Sequence, residues 1–422
     1  MAGIAIIRIS GPKAFSVAER LAGSLPRPRM LALRQFRDAE GGLIDQGLLV
    51  IFPAPASFTG EDVCEFHLHG GMAVQTAILH VLSDLPRCRP AEPGEFTRRA
   101  VRNDRLDLLA AEGLSDLIRA TSERQRHQAL AHSTGRASES AEAWRRELIA
   151  ITARVTAAID FADEADVAHE AMRGVASQIE TLTGILERAL LDAEKGDMVR
   201  RGIRVVLAGP PNAGKSTLLN ALACRDAAIV SPTPGTTRDT IDVTLDLAGM
   251  PVTITDTAGL HDSAENAIEV EGMARTYRAL AQADIVLWIQ ERNDFSAPPL
   301  ALDSEPIRVE SKNDLGGEAV PDAVIRVSAR TGEGMAELLD FLEQKVKNLV
   351  GSSESPILIR ERHRRVVVDC LQCLSRALTS LGSAEIAAEN LRAAGEALGR
   401  LTGRIDVEEV FDAIFKEFCI GK

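Results

Sequence analysis

The rhythm of apolar and polar positions changes three times along the chain. From residue 1 to about residue 100, short apolar runs stand between glycines and prolines. Ile4 to Ile9 and Leu48 to Phe52 have strand composition, and Ala73 to Leu85 carries apolar positions at helical spacing. Between them Val63-Cys64-Glu65-Phe66-His67-Leu68-His69 alternates, which predicts a half-buried strand entered through the turn formers Ser57 to Gly60 and left through Gly70-Gly71. No proline then occurs between Pro93 and Pro210. Leu106, Leu109, Ala110, Gly113, Leu114 and Leu117 recur at helix spacing, as do Leu182, Ile185, Leu186, Ala189 and Leu190, giving stripes that need partner helices. The same pattern returns after Pro356 in Val367, Leu371, Leu374, Leu378 and Leu381. Between the two helical stretches, turns and buried-strand runs such as Ile203 to Ala208 and Asp284 to Ile289 resume. We therefore expect one helical bundle split in sequence by an inserted domain, with two separate helical units as the alternative.

The expected fold is multi-domain α/β plus α. A mixed α/β domain occupies 1–102, the helical domain 103–199 and 351–422, and the inserted α/β domain 200–350. A chain of 422 residues with 45% hydrophobic and 26% charged content can bury two or three such cores. No apolar run reaches the roughly 18 residues of a membrane span, and the opening lacks a signal peptide's cationic start, so a cytoplasmic protein without membrane contact is expected. Its net charge of −13 argues against a broad cationic surface for nucleic acid, although a basic partner would supply one. Six cysteines are too sparse for a disulfide framework. Cys370 and Cys373 fall within a helical stripe and are expected to pack as small apolar residues. His67 and His69 share one strand face, which permits a metal, but no third ligand is apparent and polar strand positions are the favoured reading. The run Arg360 to Arg365 reads as a solvated helix face.

Chemistry concentrates in the inserted domain. Gly209 to Thr217 fits G-x-x-x-x-G-K-[ST], between the apolar run Ile203 to Ala208 and the helix-like Leu218 to Leu222. Its backbone, with Asn212, Ala213, Gly214 and Thr217, would cradle phosphates, Lys215 would reach the β- and γ-phosphates, and Ser216 would hold Mg²⁺. Ser231 to Asp239 is rich in hydroxyls and turn formers; there Thr236 or Thr237 would complete the Mg²⁺ shell. Two alternating runs then predict a hairpin that delivers Asp256 to a strand end, opening the D-x-x-G element Asp256-Thr257-Ala258-Gly259. Its aspartate would hold Mg²⁺ through water and its glycine would bond the γ-phosphate. Ser311-Lys312-Asn313-Asp314 stands where guanine-binding proteins carry N-K-x-D. The Asp314 carboxylate accepts two N–H bonds from guanine and the Lys312 stem covers the ring. Serine at 311 is expected to lack the bridging contacts of an asparagine amide and to weaken affinity. Ser328-Ala329-Arg330 matches the last base-contacting loop. Leu260 occupies the place of a water-orienting glutamine, so hydrolysis needs another polar residue, with Asp262, Glu265, Glu269 and Glu271 as candidates. Asn212 offers an oxygen to a monovalent cation that would do the electrostatic work of an arginine finger.

These elements, together with Gly60-Glu61-Asp62, His69-Gly70-Gly71, Pro93-Gly94-Glu95-Phe96, Asn103 to Leu108 and the terminal Cys419-Ile420-Gly421-Lys422, closely resemble the tRNA uridine-modification GTPase family called MnmE or TrmE. The resemblance covers nearly the whole chain. It implies an N-terminal folate-binding domain that makes a homodimer, and a GTPase activated when K⁺ pairs two G domains. It also implies a heterotetramer with an FAD-dependent partner of the MnmG or GidA type. That complex installs an aminomethyl or carboxymethylaminomethyl group on C5 of the tRNA wobble uridine, from a tetrahydrofolate one-carbon donor. Carried over by motif, Asn212, Ser231, Thr233 and Thr236 surround K⁺, Ser216 and Thr237 bind Mg²⁺, and Gly235 lies in the nucleotide loop. Glu269 positions the water, with Glu271 as second choice. Arg8, Glu65, Arg105 and Lys422 contact folate, and Cys419 lies beside its one-carbon unit. The chain begins inside the element with which the family opens, so the folate domain is expected to lack part of that element. The rival reading is a GTP-switched assembly factor without modification chemistry. Such a switch has no use for a folate-like domain or a terminal thiol.

Overall fold

The computed structural model describes residues 2–224, 242–257, 276–291, 294, 298, 305–315, 318–320, 325–351 and 356–403. The chain opens with β1 (Ile4–Ser10), α1 (Ala14–Ala22), β2 (Ala32–Arg37), β3 (Leu43–Phe52), β4 (Val63–His69) and α2 (Met72–Ser83). A helical run follows: α3 (Glu95–Arg102), α4 (Leu108–Arg119), α5 (Glu123–Ser133), α6 (Arg136–Asp160), α7 (Ala165–Met172) and α8 (Val175–Arg201). Next come β5 (Ile203–Ala208), α9 (Lys215–Ala223), β6 (Asp242–Leu247), β7 (Met250–Asp256), β8 (Ile285–Glu291), β9 (Ile307–Ser311), β10 (Ile325–Arg326) and α10 (Met335–Val350). The described part closes with α11 (Glu361–Thr379) and α12 (Ala384–Thr402). Contacts divide the chain into two units: 1–115, 132–179 and the stretch from 369 onward form one, and 116–131 with 180–368 form the other. The boundaries therefore fall inside α4, α5, α8 and α11.

In the first unit four antiparallel strands lie in the order β1-β4-β3-β2. Strand alternation sends Cys64, Phe66 and Leu68 of β4 into a core with Phe36, Leu49 and Ile51, closed by Val17 and Leu21 of α1 and Ile78 and Leu82 of α2. Glu65 and His67 face the other way, half-buried. The two histidines do share a face, but each is paired with a carboxylate. His67 Nε2 lies 3.4 Å from Glu65 Oε2, and His69 Nδ1 lies 2.8 Å from Asp45 Oδ1. Among the described residues no group of three or more potential ligands gathers for a metal. The same unit contains the α6–α12 pair, where Trp144, Leu148, Ile151 and Val155 are buried on one helix and Leu391, Ala394, Leu398 and Leu401 on the other. A Cβ at Gly395 would meet Leu148 Cδ2 at 3.9 Å, an ordinary van der Waals contact, so the pair does not depend on glycine there. Cys370 is fully buried, and burial pushes its thiol up to about 12, as a packing role requires.

Glu95, in the first turn of α3, ties that helix to the loop before it. Burial pushes its carboxyl up, but hydrogen bonds from Arg89 (2.7 and 2.8 Å), Arg99 (2.7 Å) and the Glu92 N–H (2.9 Å) outweigh that and hold it at about 2. A depressed carboxylate stabilises the fold fully above its ordinary value near 4.5 and progressively less as pH falls toward 2. Glu95→Gln is therefore expected to lower Tm at neutral pH, with the gap to wild type closing as pH falls below 4.5. A gap independent of pH in thermal melts would refute this.

The second unit is built on a six-stranded sheet of order β10-β9-β8-β5-β7-β6, parallel except for the edge strand β6. Parallel strands covered on both faces read as continuous apolar runs, which is why β5 and β8 were legible. One face packs Val205, Leu207, Ile254, Leu287 and Val309 against Leu218 and Leu222 of α9 and Leu338 and Leu342 of α10. The other carries Val206, Ala208, Val286 and Trp288. Within this unit α5 braces the sheet: Arg124 N–H donates to Gly249 O in the β6–β7 turn (3.3 Å), and Gln125 Nε2 donates to Arg200 O (3.0 Å). The cationic run at 360–365 is ion-paired, Arg360 to Asp116 at 2.6 Å, Arg364 to Glu194 at 3.2 Å and Arg365 to Glu361 at 3.1 Å. No helix among the described residues is long and apolar enough to cross a membrane.

Candidate nucleotide site and N-terminal polar site

The carboxyl ends of β5, β7, β8 and β9 converge, as ligand sites of open α/β sheets do. The register sets Leu207 beside Asp256 and Ala208 beside Trp288, so the loop leaving β5 starts level with the end of β7. Gly209 has φ 147°, and a Cβ there would lie 2.2 Å from Ile289 O, so only glycine lets the loop cross β8. Asn212 and Gly214 take left-handed backbone at φ 62° and 91°, and α9 begins directly at Lys215. Its first-turn N–H groups are thereby presented at the loop. Lys215 is buried, and its Nζ donates to the carbonyls of Gly209 (3.1 Å) and Pro210 (2.8 Å). Burial lowers its pKa, while the nearby Asp256 carboxylate opposes that shift.

Ser216 Oγ donates to Asp256 Oδ2, and Asp256 Oδ1 is buried with no hydrogen-bond partner among the described residues. A hydroxyl and a carboxylate with an unused buried oxygen form an all-oxygen donor set, which suits Mg²⁺. Thr257 Oγ1 donates to Leu207 O at 2.8 Å, fixing the start of the D-x-x-G element to β5.

The end expected to bind the base is equally assembled. Gly214, Thr217, Leu218, Lys312, Asp314, Val327, Ser328, Ala329 and Arg330 line a cavity of about 220 Å³. Asp314 Oδ1 accepts from Ser328 Oγ at 2.7 Å, and Arg330 Nε lies 3.2 Å from Asp314 Oδ2. The Ser328 hydrogen bond, ahead of the Arg330 charge, holds the Asp314 carboxyl below the ordinary carboxylate range against a small burial effect. Lys312 has φ 53° and its Nζ lies 2.5 Å from Glu291 Oε2, a partner that the motif did not announce.

Ser311 corrects the sequence reading. Its buried hydroxyl lies 2.5 Å from Ala213 O in the phosphate loop and 3.1 Å from Gln290 O at the end of β8, so the bridge expected to be missing is present. Size explains the error, because a short side chain suffices where β9 already runs against the loop. One hydroxyl proton serves both carbonyls, and its loss leaves the Ala213 carbonyl untethered. Ser311→Ala is expected to speed GDP release about tenfold, from the roughly 1.4 kcal/mol that one buried hydrogen bond contributes. Stopped-flow release of a fluorescent GDP checks this, and an unchanged rate would show the tether to be idle.

At the N-terminal site β1 pairs with β4 so that Arg8 stands directly opposite Glu65. Arg8 Nε donates to Glu65 Oε1 at 2.7 Å, and the guanidinium lies over the rings of Phe58 (5.7 Å) and Phe96 (5.6 Å). The Gly60-Glu61-Asp62 and Asn103-Asp104-Arg105 motifs, distant in sequence, meet: Asn103 Nδ2 donates to Thr59 O at 2.7 Å, and a Cβ on Gly60 would lie 3.2 Å from Arg105 Cγ. Ser10 Oγ donates to Glu61 Oε2 at 2.7 Å and Arg99 pairs with Glu61 at 3.0 Å. Sequence reasoning gave no site role to Ser10, Phe58, Phe96 or Arg99; an arginine opposite a carboxylate in paired strands was the available signal for the cluster. Ser231, Thr233, Gly235, Thr236, Thr237, Ala258, Gly259, Leu260, Asp262, Glu265, Glu269, Glu271, Cys419 and Lys422 lie outside the described residues.

A phosphate loop between β5 and α9, an aspartate at the end of β7 beside its serine, and a carboxylate held for guanine's edge define a P-loop GTPase. Residues 1–105 match the family described as GTP-binding protein TrmE N-terminus, and residues 108–419 match the MnmE helical domain. The chain is 47% identical to the tRNA modification GTPase MnmE of Rhodopseudomonas palustris, over 99% of this chain and 96% of that one. It is 49% identical to that of a Methylobacterium species, over 100% and 97%. The chain belongs to the tRNA modification GTPase MnmE family. Among solved structures, the G domain of the T. maritima FeoB iron transporter is 25% identical over 35% of this chain and 99% of that one, at a TM-score of 0.24.

Proposed function

We propose that this chain is the GTP-hydrolysing subunit of a cytoplasmic enzyme that modifies C5 of the tRNA wobble uridine with a tetrahydrofolate-borne carbon. The observation that carries the reading is the presence in one chain of a guanine-nucleotide site and the separate Arg8–Glu65 site, where Gly60 and Arg105 meet. Two aromatic rings near an arginine and a carboxylate suit a flat heterocycle with polar edges and an acidic tail. In the nucleotide site Lys215 and the α9 N-terminus would hold the phosphates, and Ser216 and Asp256, with Thr237, would hold Mg²⁺. That ion would supply charge neutralisation across the β- and γ-phosphate oxygens. Asp314 and Lys312 would select guanine. Asn212, with Ser231, Thr233 and Thr236, would hold K⁺ where two G domains of a homodimer meet, and Glu269 would orient the water that Leu260 cannot. Cys419 and Lys422 would complete the folate site, and an FAD-dependent partner of the MnmG type would share the chemistry.

The test is GTP hydrolysis by the purified chain with Mg²⁺ in KCl and in NaCl at matched ionic strength, across protein concentration. Stimulation by K⁺ that grows with concentration is expected. Equal rates in both salts would count against paired G domains. Retention of 5-formyl-tetrahydrofolate, lost in Arg8→Ala, is expected alongside, and a chain that binds guanine nucleotide but no folate would sink the modification reading.

A further inference from the structure

The first 37 residues carry charge against the trend of the chain. Residues 1–37 hold seven Arg or Lys and one acidic residue, Glu19, in a protein of net charge −13. Four of these arginines, Arg27, Arg29, Arg34 and Arg37, lie on or just before β2, an edge strand of the sheet. Arg27 is exposed, and the guanidinium groups of the other three turn to neutral acceptors. Arg29 donates to Ala56 O and lies over the Phe52 ring at 5.8 Å. Arg34 donates to the carbonyls of Ser24 (3.0 Å) and Leu33 (2.9 Å), and Arg37 to Gly41 O (2.8 Å) and Gln35 Oε1 (2.7 Å). Among the described residues none of the four forms an ion pair, and the nearby Asp38 carboxylate is engaged by the Gly42 N–H at 2.5 Å.

A carbonyl acceptor fixes a guanidinium without neutralising it, and each group keeps most of its five donors. The row is also extended. Arg29 N–H bonds Ile51 O while Arg37 stands opposite Leu43, so eight residues of β3 separate them, about 26 Å at roughly 3.3 Å per residue. Arg34 is half-buried on the Phe36 side of the strand, which leaves Arg27, Arg29 and Arg37 as the exposed cations of this edge. An extended run of cations without ion pairs matches a linear polyanion better than a compact anion, and guanidinium groups bond phosphate oxygens bidentately. Leu31 and Leu33, both more than half exposed, interrupt the row and offer apolar contact to sugar or base faces.

We propose that the β2 edge is an RNA-backbone surface by which this chain itself seats its tRNA, an assignment that rests on the tRNA reading above. The test uses R27E/R37E, both exposed positions, with the GTPase rate and Tm as controls for folding. Titrated with an unmodified tRNA transcript near 50 mM KCl, the variant is expected to lose at least tenfold in affinity, and its slope of log K against log salt to fall by about two. Affinity and slope equal to wild type would overturn the surface and leave the modification reading standing. Loss of binding to the FAD-dependent partner with tRNA affinity intact would assign the row to protein docking and equally overturn it. A wild-type complex that binds tRNA through this row yet forms no modified uridine would sink the functional reading alone.

Discussion

Lys215→Ala is expected to depress GTP hydrolysis by roughly a thousandfold or more, the scale at which a preorganised charge on a transferring phosphoryl group acts. The side chain is buried at the phosphate loop and held by two carbonyls of that loop. It is therefore positioned at the loop already, where it would exchange carbonyls for phosphate oxygens. Burial biases the amine against its charge, which an incoming polyphosphate reverses. Single-turnover hydrolysis with saturating GTP reads the effect, and Lys215→Arg separates charge from shape. An alanine variant within tenfold of wild type would mean that Lys215 does not touch the γ-phosphate.

Asp314→Asn is expected to weaken GTP binding by three orders of magnitude or more and to create affinity for xanthosine triphosphate. Guanine presents two N–H donors to the carboxylate, whereas xanthine replaces the amino group by a carbonyl that an amide N–H can meet. A site built around specific hydrogen bonds rejects a mismatched partner by about 10⁴ because buried groups are left unpaired. The Ser328 hydroxyl and Arg330 fix the carboxylate and hold it ionised well into the acid range, so guanine binding is expected to stay flat from neutral pH down to that range. Isothermal titration with both nucleotides checks the exchange. Retained GTP affinity would place the base elsewhere.

The nucleotide loop was legible because its residues are contiguous and each answers a local demand, as Gly209 does where it crosses β8. The strands of the second unit were legible because burial on both faces leaves runs such as Ile285 to Ile289 without polar interruption. What the chain alone did not yield was partnership. A stripe on a helix says that a face is buried and not against what, so nothing in residues 116–131 announced that Arg124 and Gln125 would brace the β6–β7 turn and the end of α8. The Arg8–Glu65 pair depends on strand register, which alternation constrains but does not number. Ser311 was misread because the reading compared side chains and ignored the backbone distance they had to span.

The pairing of α6 with α12 bears on how the protein is made. The apolar stripe Trp144, Leu148, Ile151 and Val155 leaves the ribosome long before its cover, since more than two hundred residues separate Asp160 from Ala384. At about 5–20 residues per second that stripe waits on the order of ten to fifty seconds for its partner. Meanwhile most of the second unit emerges and can close around its own sheet. Nascent chains stalled before residue 384 should therefore hold a folded nucleotide site beside an open helical face, the state in which a chaperone would be needed.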